Sequence, residues 1–251
     1  MYIVKKKEPN MKNDSQKMRS DLVAAYHLLD YYGWSDQIFT HMSVKLDQPE
    51  NAFLINQYGL LPEEVTVDNL LEIDVHGNKL KDTNEDVNPA GFTIHSAIHS
   101  QCEGATCVIH THTMAGMAIA ATQEGLLPIN QTNMAFYNRV SYYDYEGIPL
   151  DLEVRQRIVN AMGNNNCMIL RNHGLLTTGR TVAEAFFNMY YLNAACEIQL
   201  LAQSTNRPLI MPLEKDCLYT AEQFSDPEYH QQSVDLFWKA QLRKLKRAQK
   251  T

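Results

Sequence analysis

The sequence predicts a single α/β domain in which helices pack on a mixed sheet. Three observations carry this. Apolar runs with strand character alternate along the 251 residues with segments whose apolar positions recur at helical spacing. No shift in composition marks a linker, and there is no internal repeat. Hydrophobic residues make up 45% and charged residues 20%, enough to bury a large core at this length.

The elements follow in order. Residues 1–14 are polar and read as a loose arm. From Ser15 the apolar positions Met18, Leu22, Ala25, Leu28 and Leu29 recur at helical spacing and end before Gly33. Segments 41–47 (HMSVKLD) and 51–56 (NAFLIN) read as short strands joined by a Gln-Pro-Glu turn, and 70–80 (LLEIDVHGNKL) as a strand running into a Gly-Asn turn. Asn88-Pro89 punctuates the chain before a helix over 91–102. Strand 106–110 (TCVIH) leads into an Ala/Met-rich helix over 114–122, which Gly125 breaks. The Asn- and Tyr-rich stretch 129–147 reads as one long connection, of the kind that faces a partner or a site. A helix over 151–163 takes Asp151 as N-cap and Gly163 as stop. Strands 167–172 and 174–179 and a helix over 181–203, opened by the capping box Thr181/Glu184, complete a body spanning 15–220. Residues 221–251 form a helical extension with a basic end.

Charge and cysteine usage exclude several function classes. Net charge is −7, yet residues 1–20 carry six Lys/Arg against two acids, and residues 239–251 carry six and no acid. The body between is therefore strongly acidic, which argues against a nucleic-acid binder, since phosphate-driven binding needs an extended basic face. The basic C-terminal end reads as a solvated helix end that complements the helix dipole. Five scattered cysteines without CxxC spacing argue for reduced thiols and against a zinc ribbon. No apolar run reaches the roughly 18–20 residues of a membrane span. The N-terminal lysines precede no hydrophobic stretch, so a cytoplasmic location is expected. No Gly-rich nucleotide loop of the P-loop or dinucleotide-binding type is present.

Three of nine histidines stand where a metal would want them. His110-Thr111-His112 ends an apolar strand, and positions i and i+2 of a strand share a face. His173 ends another apolar strand, with Gly174 freeing the backbone to turn. Neutral imidazoles suit Zn²⁺, Fe²⁺, Ni²⁺ or Cu²⁺, and three ligands with an open position describe a catalytic rather than a structural site.

Five stretches, in order, resemble the class II aldolase/adducin family: FTHMSVKL (39–46), LLPEEVTVDNLLEIDVHGN (60–78), NPAGFTIHSAIHS (88–100), CVIHTHTMAGMAIA (107–120) and RNHGLLTTGRTVAEAFFNMYYLNAACEIQ (171–199). The resemblance covers roughly residues 20–205. It implies a three-layer α/β/α fold around a nine-stranded mixed sheet, a homotetramer with active sites between subunits, and His110, His112 and His173 as the ligands of one divalent metal per chain. Zn²⁺ is the first expectation, with Fe²⁺ or Mn²⁺ as alternatives.

The departures from the family are as informative. The sugar-phosphate aldolases carry a glutamate four residues before the histidine matching His95; here that position is Gly91. Their phosphate-holding segments correspond here to His41-Met42-Ser43, Asn56-Gln57-Tyr58-Gly59 and Pro89-Ala90, which keep few phosphate donors. The pattern is closer to the adducin-like branch. General acid/base work needs a group of tunable pKa at the reacting carbon. Candidates to replace the glutamate are His95 or His99, Tyr137, or a water molecule. His95 and His99 share a helix face, with one expected buried and one exposed. Ser43, Gly59 and Arg171 are candidate substrate contacts. The expected function is a metal-dependent lyase acting by aldol cleavage or decarboxylation on a small hydroxy- or oxo-carbonyl substrate. A non-haem Fe²⁺ oxygenase and a non-catalytic adducin-like interaction module are the alternatives.

Overall fold

The computed structural model describes residues 11–250. The chain runs α1 (Met11–Tyr31), β1 (His41–Lys45), β2 (Ala52–Ile55), β3 (Leu71–Asp74), α2 (Pro89–Gln101), β4 (Cys107–Thr111), α3 (Met114–Ala120), α4 (Gln131–Met134), β5 (Val140–Tyr143), α5 (Val154–Met162), β6 (Cys167–Leu170), β7 (Gly174–Gly179), α6 (Val182–Ser204), α7 (Glu214–Phe224) and α8 (Pro227–Ala248). Among the described residues the sheet has seven strands, in the order β3-β2-β1-β4-β7-β6-β5, rather than the nine expected. Every neighbouring pair is antiparallel except β5 with β6, which makes the sheet mixed.

Strand parity sorts the core into two layers. Met42, Val44, Cys107, Ile109, Cys167, Ile169 and Leu175 face α1, α3, α6 and α8, meeting Leu22, Leu29, Ile119, Phe186, Met189 and Trp238. Val108, Met168, Leu170 and Leu176 face the opposite way, onto Ile94 and Ile98 of α2 and Ile158 and Met162 of α5. The result is the expected three-layer α/β/α arrangement. Of the polar strand residues, His41, Ser43 and His110 share the parity of Val108. They therefore point toward α2, where no apolar explanation for them exists.

Several local expectations change. Helix α1 already begins at Met11, and the rest of the expected arm, residues 1–10, lies outside the described residues. The stretch 129–147 contains α4 and the strand β5; its polar composition hides β5 because only Ser141 of the four strand residues is fully buried. Helix α5 starts at Val154, and Asp151 accepts from the Glu153 N–H in the turn before it instead of capping the helix. Strand β3 stops at Asp74, whose carboxylate binds the His76 and Asn78 backbone N–H groups of the Gly77 turn. Thr181 caps α6 as expected, accepting from the Glu184 N–H, while Glu184 accepts from the Arg180 N–H and guanidinium. The C-terminal helix α8 lies against α1 and α6. Trp238 donates to Asp21, and Gln241 accepts from the Tyr32 hydroxyl at 2.6 Å.

Candidate metal centre

The three histidines converge. His110 on β4 and His112 just past it meet His173, which sits in the short turn between β6 and β7. That turn is built by Asn172 in the left-handed region, φ +55°, a conformation asparagine tolerates better than most residues. Backbone bonds from Arg171 to the Tyr143 carbonyl, Asn172 to the Ala120 carbonyl and His173 to the Leu170 carbonyl fix it in place. Gly174 follows because a side chain there would drive a Cβ to 2.4 Å from the Thr111 carbonyl. Ring centroids of the triad lie 4.6, 4.7 and 4.9 Å apart.

The donor chemistry fits a cation. His110 Nδ1 donates to the Leu175 carbonyl at 2.9 Å, and His112 Nδ1 donates to the Asp36 carboxylate at 2.8 Å. In a neutral imidazole the other nitrogen is then a lone pair. His110 Nε2 lies 2.8 Å from His112 Nε2 and 3.2 Å from His173 Nε2. Two ligands of a tetrahedral zinc, each at about 2.0–2.1 Å, stand about 3.3 Å apart, so these spacings suit one ion. Without a cation, lone pairs this close only repel. Burial and the neighbouring imidazoles hold His110 well below its ordinary range, and burial brings His173 down to about 4, so both are in the neutral, ligating form at physiological pH. This is the only group of three or more His, Cys, Asp or Glu among the described residues able to hold a metal.

Asp36 was not legible in the sequence. It lies 76 positions from His112 and outside any strand or helix. Its carboxylate accepts from His112 Nδ1, the contact by which a carboxylate would fix the tautomer and orientation of an imidazole that binds metal.

The remaining candidates occupy defined places. His95 and His99 on α2 are both fully buried, which corrects the expectation that one would be exposed. The burial follows from the parity described above: Ser43 and His41 project from β1 onto α2 and receive them. His95 Nε2 meets His41 Nδ1 at 2.8 Å, His95 Nδ1 meets the Ser43 hydroxyl, and the same hydroxyl lies 2.7 Å from His99 Nε2. His99 Nδ1 lies 3.1 Å from the Ala105 carbonyl. Gly59 is in an exposed turn at φ +100° with open space around it. Arg171 donates to the Thr122 carbonyl at 2.6 Å and lies over the Tyr142 ring, 4.3 Å from its centroid. Tyr137 stands beside Glu214 and Cys217 of α7, and burial, with the Glu214 charge, raises its hydroxyl pKa. A shallow pocket adjoins His173, lined by Ile94, Tyr143, Asp144, Tyr145, Leu170 and Arg171. A larger cleft, about 940 Å³, opens elsewhere, between α4, α6 and α8.

Residues 20–200 match the family model for the class II aldolase and adducin N-terminal domain. An aldolase class 2-type protein of Caulobacter vibrioides is 45% identical over 193 residues, covering 77% of this chain and 75% of that protein. Rat alpha-adducin is 41% identical over 186 residues, which cover 73% of this chain and 25% of the adducin. Among solved structures, an aldolase II superfamily protein from Pseudomonas syringae superposes with a TM-score of 0.87 at 40% identity, covering 97% of this chain and 96% of that one. L-fuculose 1-phosphate aldolase from Glaciozyma antarctica shares the fold, with a TM-score of 0.83 at 24% identity over 94% and 92% of the two chains. With a family match across most of its length and a relative 45% identical over three quarters of both chains, the chain belongs to the class II aldolase/adducin family.

Proposed function

We propose that this protein is a divalent-metal-dependent lyase that cleaves, by retro-aldol reaction or decarboxylation, a small hydroxy- or oxo-carbonyl substrate other than a typical sugar phosphate. The observation that carries the reading is the convergence of three imidazole nitrogens, two of the rings oriented by the Leu175 carbonyl and Asp36. A scaffold has no physical need for three close lone pairs with an open fourth position. When bound, a metal, Zn²⁺ first and Fe²⁺ or Mn²⁺ next, supplies Lewis-acid stabilisation of the negative charge that develops on the substrate. The rest is the work of the chain. The pocket beside His173 receives the substrate, with Arg171 and the Gly59 turn as contacts and Ser43 acting through the buried imidazoles. Tyr137 carries a proton into the site of a neighbouring subunit of a homotetramer, and His95 serves the proton path from within.

The test is a screen of the zinc-, iron- and manganese-loaded protein against small 2-hydroxy ketones and 3-hydroxy-2-oxo acids, reading aldehyde or CO₂ release. Release that EDTA abolishes and metal restores supports the reading. Stoichiometric metal binding with no release from any substrate supports the second reading, a non-catalytic interaction module. The specific observation favouring that module is the 41% identity to alpha-adducin.

A further inference from the structure

Position 91 is glycine, and the space its side chain would take is already filled. A Cβ on Gly91 would lie 2.9 Å from His41 Cδ2 and Cγ and 3.1 Å from His41 Nε2. The obstacle is a ring buried at 4% exposure, pinned from behind by His95. His41 also pairs directly with His110 across the β1–β4 ladder, and the two rings lie 5.0 Å apart. An imidazole rooted on β1 thus occupies, next to the metal triad, the place that a residue-91 side chain would enter.

The hydrogen-bond array behind His41 fixes which of its nitrogens bears a proton. The array is anchored at its far end, away from the metal ligands. A carbonyl only accepts, so His99 Nδ1 must donate to Ala105 O. Burial holds His99 down to about 3 and His95 well below its ordinary range, so both are neutral. His99 Nε2 is then a lone pair, and the Ser43 hydroxyl donates to it. The single Ser43 proton being spent, its oxygen accepts from His95 Nδ1. His95 Nε2 in turn accepts from His41 Nδ1. A neutral His41 is left with Nε2 unprotonated. No described protein group bonds that nitrogen. The ring keeps 4% exposure, and Nε2 is not among the fully buried unpartnered atoms of the described residues, so part of that exposure falls on it.

We infer that His41 Nε2 is the hydrogen-bond acceptor of the active site, standing in for the acidic side chain that position 91 lacks, and that it selects a substrate presenting a hydroxyl donor beside the triad. His95, Ser43 and His99 are positioning residues that hold His41 in the accepting tautomer. A neutral acceptor differs from a carboxylate in one respect that matters for specificity: it takes a hydrogen bond without adding negative charge, so it does not oppose an anionic substrate group nearby. The inference rests on the metal-dependent reading above for what the site does, but not for how the array is wired.

The wiring is tested first on the metal-free protein, by nitrogen-15 NMR of the histidine rings. The expected result is His41 with Nδ1 protonated and Nε2 bare, His95 with Nδ1 protonated, and His99 with Nδ1 protonated. A His41 ring protonated at Nε2 overturns the inference whatever the enzyme does, so its failure is distinguishable from failure of the lyase reading. Selection is then tested on the zinc-loaded protein by NMR competition between hydroxyacetone, which offers a hydroxyl donor, and methoxyacetone, which does not. Wild type should prefer hydroxyacetone about tenfold, and His41→Phe should abolish the preference with zinc content unchanged. Equal binding of the two by wild type, or a preference that survives His41→Phe, overturns it. The milder Gly91→Ala variant, which displaces the ring without removing it, should lower the preference in step with the loss of the His41–His95 coupling.

Discussion

At the scale of single residues, chemistry was legible where one element carried it. His110 and His112 declared themselves because a strand places i and i+2 on one face, and His173 because it ends an apolar run before a glycine. Asp36 and His41 did not, since their partners are distant in sequence and only the folded backbone brings them together. The alternation of His41, Met42, Ser43 and Val44 was a usable signal in retrospect: two polar residues on the face opposite two apolar ones. Asp36 offers a direct prediction. Asp36→Ala leaves the three ligands in place but frees the His112 ring, so zinc affinity measured by competition with a chelating dye should fall about 10–100-fold. An unchanged affinity would mean that Asp36 does not orient His112.

At the scale of elements, apolar periodicity recovered the long helices and the strands with an apolar face, and it missed α4, β5 and α7, which bury few or polar side chains. Strand β5 is the example: Tyr142 and Tyr143 are only half-buried, so the alternation is absent and the segment reads as loop. What makes it a strand is its parallel pairing with β6, a tertiary fact. Capping was legible at α6 and misplaced at α5, because Asp151 stabilises a turn two residues too early to serve the helix. Thr181→Ala removes the bond to the Glu184 N–H and should cost about 1 kcal/mol, seen as a Tm lowered by about 2–4 °C. No shift in a thermal melt would show that the α6 terminus is held by Glu184 and Arg180 instead.

At the scale of the whole molecule, the buried imidazoles set how stability responds to acid. His99 stays neutral in the fold down to about 3, whereas an unfolded histidine takes a proton near 6.5. Between those values unfolding takes up protons, so stability falls as pH falls, by about 1.4 kcal/mol per pH unit for each such group. Glu184 adds a lower window. Burial works to raise its pKa, but His230 and Arg180 outweigh that and hold it at about 2, so its stabilisation is present above 4.5 and fades toward 2. Urea midpoints taken from pH 7 to 4.5 should therefore fall steeply in wild type and less steeply in His99→Gln; parallel curves would contradict this. No described helix is long and apolar enough to cross a membrane. Leu201, Ile210, Leu213 and Tyr219 are exposed around the end of α6 and along α7, and a homotetramer would give such side chains cover. Light scattering should then return four times the 28.7 kDa chain mass. A monomer at micromolar concentration would contradict the proposed role of Tyr137 in a neighbouring subunit's site.

The central claim is that His110, His112 and His173 hold one catalytic metal. It is tested most directly by metal content of the purified protein, measured by inductively coupled plasma mass spectrometry beside a His110→Ala/His112→Ala variant. The account predicts about one divalent metal per chain, zinc foremost, in the wild type and none in the variant. A wild type that holds no metal after incubation with Zn²⁺, Fe²⁺ and Mn²⁺ in turn would contradict it.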